Sequence, residues 1–284
     1  MEKLVEFIKY ILLGLVQGVT EPLPVSSSGH MVIFDQIFGK VITQESMNNF
    51  QIAVNFASLI AIIIYYRQLI KQLIIGCWQY LVRKNENEKP SFLYVIYIIL
   101  ATIPAGIIGL VIKLNDWDQY YTNILVVGFS LMITGLLLLF ISKKQNQALR
   151  EDITWKDALL MGGAQVIGLL PGISRSGVTS SFGVANHLKL DKALRFSFMM
   201  YIPASIAAAL LGLYDLINPE SASTEPVFWG GYLGGFIASL IGTYLSISLF
   251  FKIVKHKNIK YFGFYCLGLA LVVLSLIALG VFTW

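Results

Sequence analysis

Long apolar stretches separated by short polar segments run through most of this sequence. A helix needs about 20 apolar residues to cross a bilayer. The stretches that reach or approach this length are residues 50–66, 92–112, 120–141, 196–214, 228–251 and 261–282. The pattern therefore predicts six transmembrane helices.

Two other apolar stretches are interrupted by proline, glycine and polar residues. The first, residues 6–20, is too short to cross a bilayer, and Pro22 and Pro24 should end its helix. A second short helix can begin near Ser26, a favoured N-cap residue, and run toward Phe38. A similar interruption lies within residues 157–187. Each interruption predicts a re-entrant helical hairpin, in which two short helices enter and leave the membrane on the same side.

The two interrupted stretches resemble each other at a constant offset of 148 positions. The matched pairs are Gly14 with Gly162, Gln17 with Gln165, Ser26 with Ser174, Ser28 with Ser176, and Gly29 with Gly177. We therefore expect one integral membrane domain, residues 1–284, made of two halves of about 1–145 and 146–284. Each half holds one hairpin and three crossings. Because three is odd, the second half is inverted relative to the first.

Composition and charge agree with this fold class, an all-α polytopic membrane protein with an inverted-topology repeat. The chain is 56% hydrophobic and only 13% charged, whereas soluble domains carry roughly a quarter charged residues. Most of the 21 basic residues fall in loops on one side of the predicted topology, such as residues 67–89, so the positive-inside rule places both termini outside the cytoplasm. The net charge of +5 is explained by this topology and by contact with membrane lipids, and it calls for no nucleic-acid partner.

Polar and ionisable residues at the first interruption are candidates for chemistry, because such residues are costly at membrane depth and are usually functional there. Gln17 and Glu21 are four positions apart and share a helix face. Ser27 and His30 are three positions apart and share a face of the following helix. A carboxylate, a hydroxyl and an imidazole are therefore expected to converge.

The second interruption has the features of an anion site. Ser174, Arg175, Ser176 and Gly177 lie at a predicted helix start, where backbone N–H groups, hydroxyls and a guanidinium favour a phosphate group. We expect the tips of the two hairpins to meet and to form one polar site. Two structural alternatives stand beside this interpretation: the serines can be helix-packing residues, and Glu21 with Arg175 can form an ion pair that only joins the halves.

Two segments of the chain resemble the signature motifs of a known family. Residues 21–30, Glu-Pro-Leu-Pro-Val-Ser-Ser-Ser-Gly-His, and residues 171–179, Pro-Gly-Ile-Ser-Arg-Ser-Gly-Val-Thr, are similar to the two motifs of the BacA/UppP family of bacterial undecaprenyl-pyrophosphate phosphatases. Residues 195–203 resemble the family's next segment, and the likeness in length and order covers nearly the whole chain. The sequence departs from the family at Gln17, where many members have Glu, and at Pro22, where an aromatic residue is usual.

The resemblance implies an enzyme that removes the terminal phosphate of undecaprenyl pyrophosphate, a polyprenyl pyrophosphate lipid, and so returns the carrier lipid to peptidoglycan and other cell-wall synthesis. It also implies bacitracin resistance on overproduction, a divalent cation (Mg²⁺ or Ca²⁺) held by Glu21, and a multi-pass protein of the bacterial plasma membrane whose site opens to the extracytoplasmic side. The residues that carry over as catalytic are Glu21, Ser27, His30 and Arg175. The expected substrate-binding set is Gln17, Ser26, Ser28, Gly29, Gly172, Ser174, Ser176, Gly177 and Thr179.

The mechanism and the function class leave alternatives at this point. In one scheme Ser27 attacks the terminal phosphorus and either Glu21 or His30 takes its proton; in another, His30 is the nucleophile. Inverted repeats with broken helices are also typical of secondary transporters, so a carrier or flippase for the lipid phosphate is the rival function. For the oligomeric state, the expectation is a possible homodimer.

Overall fold

The computed structural model describes residues 2–38, 44–115, 123–217, 228–255 and 258–282. These residues form eleven α-helices and one short 3₁₀ helix, Glu86–Glu88, with no strand among them. The α-helices are, in chain order, Glu2–Thr20 (α1), Ser27–Phe38 (α2), Gln44–Tyr65 (α3), Arg67–Arg83 (α4), Lys89–Leu114 (α5), Ile124–Lys144 (α6), Trp155–Ile167 (α7), Arg175–Ala185 (α8), Leu190–Ile217 (α9), Trp229–Lys255 (α10) and Lys260–Ala278 (α11). The prediction of an all-α protein is confirmed.

Five helices in the described ranges, α5, α6, α9, α10 and α11, are each long and apolar enough to cross a membrane. The sixth candidate is the pair α3 and α4, whose axes are bent by 71° at the break between them. The six predicted crossings correspond to these segments, although the start of the third, residues 120–122, lies outside the described residues. The chain is therefore a polytopic membrane protein, and α1, α2, α7 and α8 are the helices of the two hairpins. Helix α1 begins at Glu2, earlier than the predicted stretch 6–20, and has 19 residues, as many as α11, but it is not among the candidate spans.

Helix α4 corrects the sequence analysis, which placed residues 67–89 in a basic loop. The segment contains apolar residues at helical spacing as well as basic ones. Ile70 packs against the core, whereas Ile74 and Trp78 are 65% and 59% exposed. A helix that combines basic residues with exposed apolar side chains suits the membrane surface. The bend at Tyr66 therefore separates the apolar helix α3 from a helix of interfacial character.

Prolines and a serine cap set the first hairpin break, as the sequence predicts. Helix α1 ends at Thr20 and is followed by turns that contain both prolines. The backbone N–H of Gly29 donates to Ser26 Oγ at 3.2 Å, which satisfies one of the free donors at the start of α2. Ser26 has a positive φ of 70°, a strained conformation for a residue other than glycine and one that is found most often at functional sites.

The second hairpin break has the same cap, built from the matched residues. Ser174 Oγ accepts from the N–H of Gly177 at 3.1 Å and lies 3.4 Å from Ser176 Oγ. In the first hairpin the corresponding hydroxyls, Ser26 and Ser28, lie 3.3 Å apart. The residues that match at the offset of 148 positions therefore also form matching hydrogen bonds.

A polar contact closes the base of each hairpin, and in both cases the bonded residues are 29 positions apart. Lys9 Nζ donates to the carbonyl of Phe38 at 3.1 Å, and Asn186 Nδ2 donates to Asp157 Oδ1 at 2.8 Å. The Asp157 side chain is fully buried and also accepts from both terminal nitrogens of Arg150, at 2.7 and 2.6 Å. The base of the second hairpin is therefore held by a charged network, and the base of the first by a single bond to a carbonyl.

Each hairpin packs against a helix of the opposite half. Helix α1 lies against α10, and helix α7 lies against α5. A Cβ on Gly14 would lie 2.2 Å from the carbonyl oxygen of Gly235, and one on Gly162 would lie 2.6 Å from that of Ala101, so both matched glycines permit close helix contact. A two-fold relation between the halves would produce this exchange of partners. The inverted topology, the division into halves and the homodimer stay predictions.

Helix α9 is a crossing helix that packs against both the second hairpin and helices of the first half. It contacts α3, α5 and α8, and its Phe196, Met200 and Tyr201 are buried in the largest apolar cluster of the described chain. The Tyr201 ring lies against the guanidinium of Arg175, with the Arg175 Cζ 4.0 Å from the ring centroid, so α9 reaches the region where the hairpin tips meet.

Candidate active site

The tips of the two hairpins are in contact at two glycines. A Cβ on Gly29 would lie 2.9 Å from the Cα of Gly172, and a Cβ on Gly172, whose φ is +90°, would lie 2.6 Å from Ser130 Cβ on α6. Thr134, also on α6, donates to the Gly172 carbonyl at 2.9 Å and accepts from the Ser174 N–H at 3.0 Å. Helix α6 therefore holds the second tip in its position against the first.

Glu21 lies at the centre of a hydrogen-bond network that joins the hairpins. Its Oε1 accepts from Arg175 Nη2 at 2.6 Å, and its Oε2 accepts from Ser27 Oγ at 2.5 Å and from Gln17 Nε2 at 2.8 Å. The Glu21 side chain is only 6% exposed, and a carboxylate buried to this extent needs such partners. The network joins a hydroxyl of the first hairpin to the guanidinium of the second.

The guanidinium of Arg175 is placed by an aromatic ring as well as by Glu21. Its Cζ lies 4.0 Å from the ring centroid of Tyr201, a cation–π contact. A guanidinium carries five N–H donors, and the ion pair with Glu21 uses Nη2. Because Arg175 is 26% exposed and lines a cavity, its planar group can also bind an anion there.

This cavity has a volume of about 480 Å³, within the usual range of small-molecule sites. Its polar end includes Glu21, Arg175 and the serines of both helix caps. Small residues of α5 and α9 form much of its walls, among them Ala105, Gly106, Gly109, Ala204, Ala208 and Gly212. The cavity extends to Lys113, near the end of α5. It therefore offers a polar end for an anionic group and an apolar length beside it.

The structure divides the predicted site residues into two groups. Those that line the cavity are Glu21, Ser26, Ser27, Ser28, Ser174, Arg175 and Ser176. Those that do not are Gln17, Gly29, His30, Gly172, Gly177 and Thr179. The glycines of the second group form the tip contact and a helix cap, and their position explains why the first group can converge. The catalytic and binding roles of these residues stay predictions.

Gln17 and Thr179 form hydrogen bonds that position other residues of the site. Gln17 Nε2 donates to Asn55 Oδ1 at 2.6 Å in addition to Glu21. Thr179 Oγ1 donates to the carbonyl of Arg175 at 2.8 Å and lies 2.7 Å from Ser197 Oγ on α9. Gln17 therefore orients the carboxylate, and Thr179 fixes the start of α8.

His30 is bonded at both ring nitrogens and does not join the Glu21 network. Nδ1 lies 2.7 Å from the carbonyl oxygen of Ser26, and Nε2 lies 2.7 Å from the hydroxyl of Tyr265. Since a carbonyl only accepts, Nδ1 carries the hydrogen and Nε2 accepts from Tyr265. The residue is 3% exposed. The imidazole therefore supports the backbone of the strained residue Ser26.

Asn55, Gln165 and Tyr201 are among the cavity-lining residues that the predicted site set does not include. Asn55 had an available signal, because it is a polar residue within a predicted crossing. For Gln165 the sequence shows only its match with Gln17 at the offset of the repeat. Tyr201 lies in the segment 195–203 that resembles the family, but its role could not be predicted from that likeness, since it depends on a contact with Arg175 in another helix.

The described part of the chain contains no group of three or more His, Cys, Asp or Glu side chains that could hold a metal ion. Glu21 is the one carboxylate among the residues described around the cavity. Mg²⁺ is commonly held by one or two carboxylates together with substrate phosphates and water. The donor set therefore fits a divalent cation that arrives with, or is retained by, phosphate groups.

Membrane helices that surround a buried carboxylate, a hydroxyl and a guanidinium define an integral membrane protein with a site for an anionic group. Comparison with known sequences gives the family. The family model described as "Bacitracin resistance protein BacA" matches residues 10–272. The chain belongs to the BacA family.

Individual relatives match over nearly the full length. A protein named undecaprenyl-diphosphatase from Oceanobacillus iheyensis is 37% identical over 269 residues, which cover 94% of this chain and 95% of the relative. Undecaprenyl-diphosphatase 1 of Bacillus cereus is 40% identical over 267 residues, covering 94% and 96%. An undecaprenyl-diphosphatase of Acholeplasma laidlawii is 38% identical over 282 residues, covering 97% and 99%.

Proposed function

We propose that this protein is an undecaprenyl-diphosphatase, which removes the terminal phosphate of undecaprenyl diphosphate in the bacterial plasma membrane. The observation that carries the proposal is the arrangement at Glu21, whose carboxylate accepts from Ser27 Oγ at 2.5 Å and pairs with Arg175 at 2.6 Å. A nucleophile, a base within hydrogen-bond reach and a cationic group for the phosphate are what phosphoryl transfer needs. The names of the relatives support the same activity.

The cavity suits a lipid that carries a diphosphate. Arg175 and the serine hydroxyls at its polar end provide charge-assisted and neutral hydrogen bonds for phosphate oxygens. The small side chains of α5 and α9 leave room for an isoprenoid chain. The head group then binds between the hairpin tips, and the chain extends along these two helices.

Ser27 is the nucleophile in the reaction that this geometry favours. Its Oγ attacks the terminal phosphorus while its proton passes to Glu21, and the bond from that phosphorus to the bridging oxygen breaks. Undecaprenyl phosphate leaves with the bridging oxygen. Water then attacks the phosphorus of the phosphoserine, and its oxygen leaves with inorganic phosphate as the bond from phosphorus to Ser27 Oγ breaks. One proton of the water passes to Ser27 Oγ, and the proton on Glu21 is released to solvent, which restores the carboxylate. Arg175 stabilises the negative charge on the transferred group from the opposite hairpin.

Glu21 is the base in this scheme, and His30 is a positioning residue. The Glu21 carboxylate already accepts the Ser27 hydroxyl proton in a hydrogen bond, whereas His30 bonds Ser26 and Tyr265. A general base must be within hydrogen-bond reach of the proton that it removes.

A divalent cation, Mg²⁺ or Ca²⁺, belongs to the proposal as a ligand of Glu21 and of the substrate phosphates. When bound, it supplies positive charge against the developing charge of the phosphoryl group. Glu21 already accepts three hydrogen bonds, so the phosphate oxygens must supply most of the coordination.

The site opens to the extracytoplasmic side in this proposal. The cavity extends to Lys113 and Gly212, near the C-terminal ends of α5 and α9. Both helices begin beside basic segments, residues 83–89 and 189–195. Because the positive-inside rule places those segments in the cytoplasm, the opposite helix ends and the cavity mouth face outward.

A carrier or flippase for undecaprenyl phosphate is the alternative function. The exchange of packing partners between the halves favours it, because such repeats are typical of secondary transporters. A carrier, however, does not need a serine hydroxyl bonded to a buried carboxylate. That difference makes the two functions separable by experiment.

Phosphate release from undecaprenyl diphosphate by the purified protein in detergent tests the proposal, since a micelle has no leaflets between which a lipid can move. We expect release that a chelator lowers and that added Mg²⁺ or Ca²⁺ restores. Ser27→Ala should lower kcat by at least about 1,000-fold with an unchanged thermal unfolding midpoint. Ser275→Ala, at an exposed position of α11, is the matched control and should keep full activity. No release with metal present would overturn the proposal in favour of the carrier.

A further inference from the structure

Gln165 is a buried amide without a hydrogen-bond partner in the described structure. Its side chain lines the cavity and the residue is only 2% exposed. Neither Nε2 nor Oε1 bonds to any described residue. Buried amides are nearly always bonded, because leaving both groups unpaired costs free energy. Burial of the Gln165 amide therefore costs free energy of folding that no hydrogen bond of this side chain offsets.

The matched residue Gln17 identifies what Gln165 lacks. Gln17 donates to Glu21, four positions further along, and to Asn55. At the offset of the repeat, the positions that match Glu21 and Asn55 hold Leu169 and Pro203. The second half retains the amide and has neither of the side chains that bond it in the first half. No hydrogen bond within the described residues explains the amide at position 165.

Gln165 also lies close to the phosphate-binding end of the cavity. It is in the last turn of α7, and Arg175 is the first residue of α8. A Cβ on Gly168, between them, would lie 3.0 Å from Arg175 Cα and 3.2 Å from the Gln165 carbonyl oxygen. The end of one helix and the start of the next are therefore packed together beside the same cavity.

We propose that Gln165 is a substrate-binding residue whose Nε2 donates to a non-bridging oxygen of the diphosphate and whose Oε1 accepts from a water molecule of the bound state. The inference rests on the proposed function and deepens it. The two matched glutamines then have different tasks: Gln17 orients the carboxylate, and Gln165 binds the substrate. The two halves thus have matching helices and caps, but their matched glutamines have different functions.

The test compares wild-type protein with Gln165→Met, which keeps the length of the side chain and removes both polar groups. We expect kcat/KM for undecaprenyl diphosphate to fall about 10- to 100-fold, the loss that follows removal of one hydrogen bond to a charged group. The thermal unfolding midpoint should be equal to or higher than that of the wild type, because an unpaired buried amide is removed. Gln165→Glu should lose more activity than Gln165→Met, since it places a negative charge beside the diphosphate.

Gln68→Met, at an exposed position of α4, is the matched control and should leave kcat/KM unchanged. A structural role would give the opposite stability result, so a lowered unfolding midpoint together with lowered activity in Gln165→Met would overturn the inference. An unchanged kcat/KM would overturn it as well.

A binding measurement separates this inference from the proposed function. Inorganic pyrophosphate should raise the unfolding midpoint of the wild type, and Gln165→Met should reduce that rise. If the wild type releases no phosphate, the proposed function fails, but a pyrophosphate-dependent rise that Gln165→Met reduces would still uphold Gln165 as a phosphate ligand. An equal rise in both proteins would contradict it.

Discussion

Glu21 and Arg175 are bonded at 2.6 Å although 154 positions separate them in sequence. Glu21 belongs to the break of the first hairpin and Arg175 to the start of α8 in the second. Neither hairpin contains both the acid and the cation, so the site exists only when the two tips are in contact. The Gly29–Gly172 contact and the Glu21–Arg175 ion pair therefore both depend on the same packing of the two hairpins.

Replacement of Arg175 by lysine should disable the site while leaving the protein folded. A lysine ammonium can replace the ion pair with Glu21, but it cannot reproduce the planar fork of donors that binds phosphate. We expect kcat/KM for phosphate release to fall at least about 100-fold. Arg83→Lys, at the exposed end of α4, is the control for a general effect of the substitution. Activity within a factor of about two of the wild type in Arg175→Lys would show that a point charge is sufficient.

The tip contact predicts a stability effect at Gly172. Alanine there adds a Cβ 2.6 Å from Ser130 Cβ at a φ of +90°, so Gly172→Ala should lower the free energy of unfolding by about 1–3 kcal/mol. Thermal unfolding in detergent measures this loss, and activity should fall with it because the tips separate. Gly163→Ala is the matched control: nothing lies within 4 Å of its added Cβ, and alanine in a helix is neutral or favourable. Equal midpoints for the two variants would argue against a tight contact at the tips.

The network at the base of the second hairpin predicts an acid-sensitive contribution to stability. Burial alone would raise the pKa of Asp157, but hydrogen bonds from Arg150, Thr154 and Asn186 outweigh it and hold the pKa below its ordinary value. A carboxyl group with a lowered pKa stabilises the fold above its unfolded pKa of about 3.9, and this contribution is lost as the pH falls through the folded value.

Asp157→Asn should remove about 2 kcal/mol of stability at neutral pH and should flatten the pH dependence below pH 4. Unfolding midpoints measured across the acidic range give both quantities. The exposed residue Asp152 provides the control, because Arg150 bonds its backbone carbonyl and Asp152→Asn leaves that bond intact. A pH profile of Asp157→Asn that follows the wild type at every pH would rule out this role.

Much of the architecture could be predicted from the sequence because local chemistry determines it. Pro22 and Pro24 end α1 because proline interrupts a helix. Ser26 and Ser174 precede α2 and α8, and serine is a favoured N-cap residue. The crossings follow from apolar length alone. Helix α4 was missed because its basic residues resemble a loop, while the apolar residues that make it a helix are divided between the core and the exposed surface.

The site was predictable in its residue types and less so in their contacts. The spacing of Ser27 and His30 placed both on one helix face, but three positions correspond to about 300° of rotation, and the side chains reach different neighbours. Ser27 bonds Glu21, whereas His30 bonds Tyr265 on α11. Contacts of this kind depend on which helices are adjacent, and the pattern of one helix does not contain that information.

The most direct test of the account is to find where the phosphoryl group goes. Undecaprenyl diphosphate labelled in its terminal phosphate is mixed with the protein, the reaction is quenched within one turnover, and the labelled peptide is identified by mass spectrometry. The account predicts phosphate on Ser27, with no labelled peptide in Ser27→Ala. Phosphate on His30, or turnover without any labelled residue, would contradict the assignment of Ser27 as nucleophile and of Glu21 as its base.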